Sequence, residues 1–242
     1  MGNKISLLKA DHIDITPKIK IRIPTVGEIL DDEQSYYAAV TSLTATPYQY
    51  MVQLDDIGID YTTITDYDLF LMLFPLYAKS DTSLIFDNLY TADYGVYKDT
   101  TNDTTILYSE TNLIDGKIDE FVYMKIVEAI RKINNLERIK SKPGNEEAKR
   151  YLLKKERKKQ KRNANKPYEP YLEKLVVALV NRPEFKYNYE ESMNLSIYQF
   201  NQSLQQIQTS INFDKTMIGV YAGTIDTSKM ADKSNLSWLP IK

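Results

Sequence analysis

The sequence contains no cysteine and a single histidine, His12. Without cysteine there can be no disulfide scaffold, thiol nucleophile, thiolate zinc site or iron–sulfur cluster. One histidine in a polar N-terminal region argues against a Ser-His-Asp triad and against a multi-histidine metal centre. Glycine is scarce, with 8 residues, and neither G-x-x-x-x-G-K-[ST] nor G-x-G-x-x-G occurs, so no phosphate-cradling loop is expected. No run approaches the ~20 apolar residues of a membrane span. The opening MGNKISLLKA lacks the apolar stretch of a secretory signal. These absences predict a protein without catalytic residues, resident metal, cofactor or membrane partner.

What is present is a chain of 242 residues, 43% hydrophobic and 26% charged, a balance that supports a packed core rather than global disorder. Tyrosine is abundant at 19 residues against 7 Phe and one Trp. An apolar ring with a polar tip suits half-buried and interface positions. Codon bias in an AT-rich genome accounts for the same excess equally well.

Charge is unevenly placed. Between Lys140 and Lys166 stand twelve Lys and Arg against three Glu, so that segment carries +9 while the remaining 19 basic and 30 acidic residues carry −11. Such asymmetry points to an anionic partner or to self-association between arm and body.

Periodicity supplies the elements. KIKIRI (Lys18–Ile23) alternates as a half-buried strand does. Thr25 with Glu28 forms a capping box for a helix over 26–42. A short helix follows over 47–54 and an apolar one over 66–77, in which Pro75 predicts a kink or an end. Leu84–Phe86 and Ile106–Tyr108 are short β-like runs separated by the polar turn Asp99–Thr105. Ile118–Leu136 is the clearest amphipathic helix. Asn145 followed by Glu146 and Glu147 starts a basic helix over 146–162. Helices over 171–180 and 195–211 complete the list, the last with an optional extension over 213–221. The expected fold class is mainly α (α+β): a helical core, a small β-hairpin or sheet element, and a projecting basic helix. Residues 1–17 are expected as an N-terminal lead-in. Residues 18–242 are expected as one helical domain, with a β-like insertion over about 83–114 and the basic arm over about 145–163.

Several patterns resemble chemical motifs. The acidic run Leu54–Asp68, with Asp55, Asp56, Asp60, Asp66 and Asp68, suggests a hard-cation site. It lacks the calcium-loop spacing and the closing bidentate Glu, and caps and turns account for Asp60 and Asp66. Asp115-Gly116-Lys117 with Asp99 or Asp103 upstream has the letters of a metal-dependent nuclease, yet sits on a predicted turn where rigid ligands are needed. Met1–Ser6 matches the myristoylation pattern. The strongest feature is KKERKKQKR, Lys154 to Arg162. Its candidate partner-binding residues are Lys154, Lys155, Arg157, Lys158, Lys159, Lys161 and Arg162. They face either a protein or nucleic acid, and a solvated structural helix is the plain alternative. Trp238 is a candidate anchor, or else a core plug.

Taken together, IRIPTVGEI (Ile21–Ile29), VQLDDIGIDY (Val52–Tyr61), the IDEFVYMKI helix start and NLSIYQFNQSLQQI (Asn194–Ile207) resemble small tail-morphogenesis proteins of phages and prophages of Gram-positive bacteria. GVYAGTID (Gly219–Asp226) and LSWL (Leu236–Leu239) extend the likeness. Some relatives of this type resemble tail assembly chaperones of the Gp15-like kind. That resemblance implies a non-enzymatic role in the host bacterial cytoplasm: holding the tape-measure chain until tail-tube protein polymerises around it. Two other functions stay open. One is a stoichiometric virion component of the neck, tail end or baseplate. The other is a nucleic-acid-binding phage protein acting through Lys154 to Arg162.

Overall fold

The structure is a computed structural model that describes residues 6–77, 81–87, 89, 91–99, 101, 103–109, 116–139 and 141–239. The Met1–Ile5 part of the myristoylation pattern, and Asp115 of the nuclease-like triplet, lie outside the described residues. Among those described, nine α-helices and two antiparallel two-stranded sheets make an α+β protein dominated by helix.

The chain enters through a hairpin. β1 (His12–Asp14) pairs with β2 (Lys20–Arg22) in the register His12↔Arg22. The hydroxyl of Thr16 accepts from the Ile19 amide at 3.0 Å and closes the turn. Residues 6–17 are tied to the body: Ile13 and Ile15 pack on the core and β1 supplies backbone partners to β2. The alternation read in KIKIRI holds: Ile19 and Ile21 are fully buried, while Lys20 and Arg22 are half-buried. Phe86 forms a single antiparallel bridge to Ile21 and the Arg22 amide donates to Ile85 O. The 84–86 run thus joins the sheet through one bridge and is otherwise a turn. The second hairpin joins β3 (Tyr94–Asp99) to β4 (Thr104–Ser109) across the expected polar turn. β3 was not expected as a strand, because only its first residue is buried and the alternation that marks a strand is missing.

The helix expected over 26–42 is two helices, α1 (Val26–Asp31) and α2 (Glu33–Leu43). Asp32 breaks it, ending α1 in a non-helical conformation and capping α2 by accepting from the Ser35 amide. The start of α1 carries the capping box read from the sequence. Thr25 Oγ1 accepts from the Glu28 amide at 3.2 Å, Glu28 Oε2 accepts from the Thr25 amide at 2.8 Å, and Arg22 pairs with the same carboxylate. Replacing Thr25 with Ala should cost about 1 kcal/mol. Chemical denaturation reads this directly, and an unchanged midpoint would show the cap is redundant.

α3 (Met51–Asp56) begins later than expected because Thr46 and Gln49 fold the preceding residues into a turn, with Gln49 Oε1 accepting from the Thr46 amide at 2.9 Å. α4 (Asp66–Tyr77) contains Pro75, and α5 (Glu120–Ile133) is capped by Asp119. α6 (Glu146–Asn163), α7 (Leu172–Val180), the short α8 (Tyr189–Asn194) and α9 (Ile197–Tyr221) follow. α9 runs ten residues beyond 211, taking in the optional extension.

Most buried residues form one contiguous cluster drawn from β2, α1, α2, α4, α5, α7 and α9, with Phe74, Ile126, Ile130 and Phe200 among its largest fully enclosed side chains. The starts of α1 and α9 are tied together: the Val26 amide donates to Leu195 O and the Ile197 amide donates to Pro24 O. Beside the main core, Ala45, Met51, Val52, Leu54, Tyr61 and Leu69 form a second, smaller cluster under α3.

Candidate functional site

The basic helix forms for local reasons. Asn145 Oδ1 accepts from the Ala148 amide at 2.8 Å, Glu146 and Glu147 occupy the first turn, and Lys161 and Arg162 the last. Each sign is placed where the helix dipole favours it. No residue of α6 is buried, so tertiary packing adds little and the caps matter.

One side of α6 is nonetheless held. Leu152 and Leu153 pack against the smaller cluster beneath α3. Lys149 Nζ lies 2.6 Å from Asp60 Oδ2. Arg157 forks across two carboxylates, with Nη2 2.6 Å from Asp55 Oδ2 and Nη1 2.6 Å from Asp56 Oδ1. The ammonium of Lys149, helped by the Thr62 amide, holds the Asp60 carboxyl down at about 2. The two carboxylates raise the Arg157 guanidinium further. The acidic run is therefore a socket for α6 and a source of caps. Asp68 Oδ2 accepts from the Thr65 amide at 2.8 Å while Thr65 Oγ1 accepts from the Asp68 amide at 3.1 Å, and Asp66 is forked by Arg138 at 2.8 and 3.0 Å. Among the described residues no group of three metal-ligating side chains converges.

Fixing one side of a helix orients the other. At about 100° per residue, Arg150, Lys154, Lys155, Lys158, Lys161 and Arg162 fall within an arc of roughly 140°, opposite Lys149, Leu152, Leu153 and Glu156. All six are exposed, and none has an ion-pair partner among the described residues. Tyr151 lies in the same arc and is 65% exposed. Of the seven basic residues expected to meet a partner, the structure therefore places five together on this face. Arg157 is spent on docking, and Lys159 pairs with Glu156 of its own helix at 3.4 Å. Arg150, four residues before Lys154, was counted in the basic segment but not among the expected partner-binding residues, and Tyr151 was read only as an aromatic flanking the basic run. Trp238 belongs to a different surface. It is 58% exposed, and its carbonyl accepts from Gln206 Nε2 at 2.8 Å where the C-terminal residues run back along α9. It is no core plug.

A broad open groove of about 1670 Å³ lies between the 61–67 segment, α5 and the Leu136–Ile139 segment. Its wall carries the Arg131–Asp66–Arg138 cluster, and Arg131 also donates to Thr44 O at 2.7 Å. The Tyr123 hydroxyl beside this cluster is buried without a hydrogen-bond partner among the described residues, and its burial pushes it well above the ordinary tyrosine range. These contacts brace the Leu136–Ile139 segment that leads toward α6.

Chemically the outward face of α6 is a fixed strip of positive potential. Its polar tips are spaced along some three turns, and it suits an elongated anionic surface.

Residues 158–241 match the family model described as the YomV second domain. The matched region takes in the last residues of α6, then α7, α8, α9 and the C-terminal residues folded along it. That family name is associated with phages and prophages, and the match supports a phage-derived chain. No curated protein and no solved structure matches the chain. Among the described residues no helix is long and apolar enough to cross a membrane.

Proposed function

We propose that the protein is a non-enzymatic phage tail-morphogenesis protein, a tail assembly chaperone that holds the tape-measure chain through the outward face of α6. One observation carries this: six exposed cations share one face of a helix whose other face is pinned to the body. A long helical partner with an acidic stripe is the natural complement. Exposed charge pairs add on-rate and specificity more than affinity, which suits a chain that must be handed on to polymerising tube protein. The host cytoplasm is where such a hand-over takes place.

Tyr151, exposed among the cations, favours a second function, nucleic-acid binding with one stacked base. The two are separated by a variant carrying Gln at positions 154, 155, 158, 161 and 162. It should keep its thermal transition, because none of the five is ion-paired among the described residues. In a tagged pull-down from an induced host culture it should lose at least roughly tenfold of the recovered tape-measure chain, about 1.4 kcal/mol or more of binding. Gradient-purified particles should lack the protein. Constant copy number in particles would overturn the chaperone role. Retention on duplex DNA, falling log–log with salt by about 0.9 per phosphate contacted and without tape-measure recovery, would establish the nucleic-acid function instead.

A further inference from the structure

α9 carries a stripe with steps of three and four residues: Ile197, Phe200, Leu204, Ile207, Ile211, Asp214, Ile218 and Tyr221. That is the a/d spacing by which one helix packs along another. The protein's own core occupies the first half. Ile197 and Phe200 are fully buried, Ile207 nearly so, and Leu204 and Ile211 pack on the same cluster. The stripe then continues past the body. From 212 to 221 no residue is buried, and Ile218 and Tyr221 are 68% and 83% exposed.

The described C-terminal residues, up to Leu239, do not cover it. The chain turns at Gly223, where φ is +70°, a conformation that suits glycine. It then runs back along α9, with Ile225 against Gly219 and the Trp238 carbonyl held by Gln206. Both contacts lie about 100° or more around the helix from the centre of the stripe, on its flanks.

The composition of this helix indicates what does cover it. The exposed half of α9, residues 212 to 221, carries one acid and one base, Asp214 and Lys215, and so no net charge. A neutral helix can meet its own copy without like-charge repulsion, whereas the +9 arm cannot. The two charges even set the direction. In a parallel pair Asp214 faces Asp214 of the second copy across the seam. In an antiparallel pair centred between 214 and 215, Lys215 of each copy stands opposite Asp214 of the other, and the two-fold axis makes that ion pair twice.

We propose that the second half of α9 is a homodimer interface, pairing antiparallel with the same helix of a second copy and burying Ile211, Ile218 and Tyr221 of both. The test is sedimentation equilibrium of the full chain over a wide concentration range. The unmodified protein should sediment at twice the monomer mass. Ile218→Glu should weaken association at least tenfold with an unchanged circular-dichroism spectrum. Asp214→Lys alone should weaken it too, and adding Lys215→Asp to the same chain should restore it. The exchange also serves as the reporter should Ile218→Glu fail to fold, since both positions are exposed. A monomer at every concentration, or a dimer indifferent to Ile218→Glu, overturns the interface. An exchange that does not restore association overturns the antiparallel pairing.

Discussion

A Phe200→Ala chain should lose about 3–5 kcal/mol of stability, a large part of the 5–15 kcal/mol that holds a typical domain folded. Phe200 is 0% exposed and lies in the first turn of α9. Its ring meets Phe185 edge-on, with centroids 6.2 Å apart and planes at 82°. The segment around it is pinned by backbone bonds from Ile197 to Pro24 O and from Val26 to Leu195 O. The surroundings therefore cannot collapse into the space a missing ring leaves, and the cost should fall at the upper end of the range. Phe200→Leu, which keeps most of the volume, should cost clearly less. Urea titration measures both. A loss under about 1 kcal/mol for the Ala variant would mean that this junction is not closely packed.

Nearly as large an effect is expected at Glu33, the one buried carboxylate among the described residues. Its Oε1 accepts from the Tyr171 amide at 2.7 Å, the Leu172 amide at 3.1 Å and the Tyr168 hydroxyl at 2.8 Å. Two of these are unpaired donors at the start of α7, where a negative charge also meets the positive end of the helix. α7 has no side-chain cap of its own, so a residue of α2 supplies it from 138 positions away. Glu33→Ala leaves all three donors unmet, the Leu172 amide among them in the core, and should cost about 3–5 kcal/mol, while Glu33→Gln, which keeps an acceptor, should cost about half as much.

The pH dependence follows from the same contacts. Burial alone raises the Glu33 carboxyl, but the two amides and the Tyr168 hydroxyl outweigh it and hold the group below its ordinary 4.5. A carboxyl lowered in the folded state contributes stability that is fully present above its unfolded value and is lost as pH falls through the folded one. The stability gap between the natural chain and Glu33→Gln should therefore be constant near neutrality and shrink below about pH 4.5. A gap that stays the same at pH 3 would show that shape, and not charge, does the capping.

Much of the architecture was legible from short-range signals. The amphipathic helix expected over 118–136 appears as α5, and the Thr25–Glu28 box starts α1 where it was read. Asn145 caps the basic helix as expected. The expectations that failed did so where a local signal was weak or two signals competed. Asp32 splits α1 from α2 because one side chain can cap a new helix as readily as it tolerates an old one. β1 is three residues long, too short to show alternation, and exists only because β2 lies beside it.

The candidate site divides in the same way. The charge of the segment from Lys140 to Lys166 and the helical form of most of it belong to the sequence alone, since caps and charge spacing act within four residues along the chain. Which side of α6 faces outward does not. Asp55, Asp56 and Asp60 lie about a hundred positions from Arg157 and Lys149, and nothing within either segment says they will meet. The same holds for Glu33 under α7 and for the half of the α9 stripe that the core leaves bare. Local propensity determined the elements of this protein. Tertiary packing alone decided which of their faces are consumed inside it and which remain for a partner, because burial depends on what the rest of the chain brings alongside.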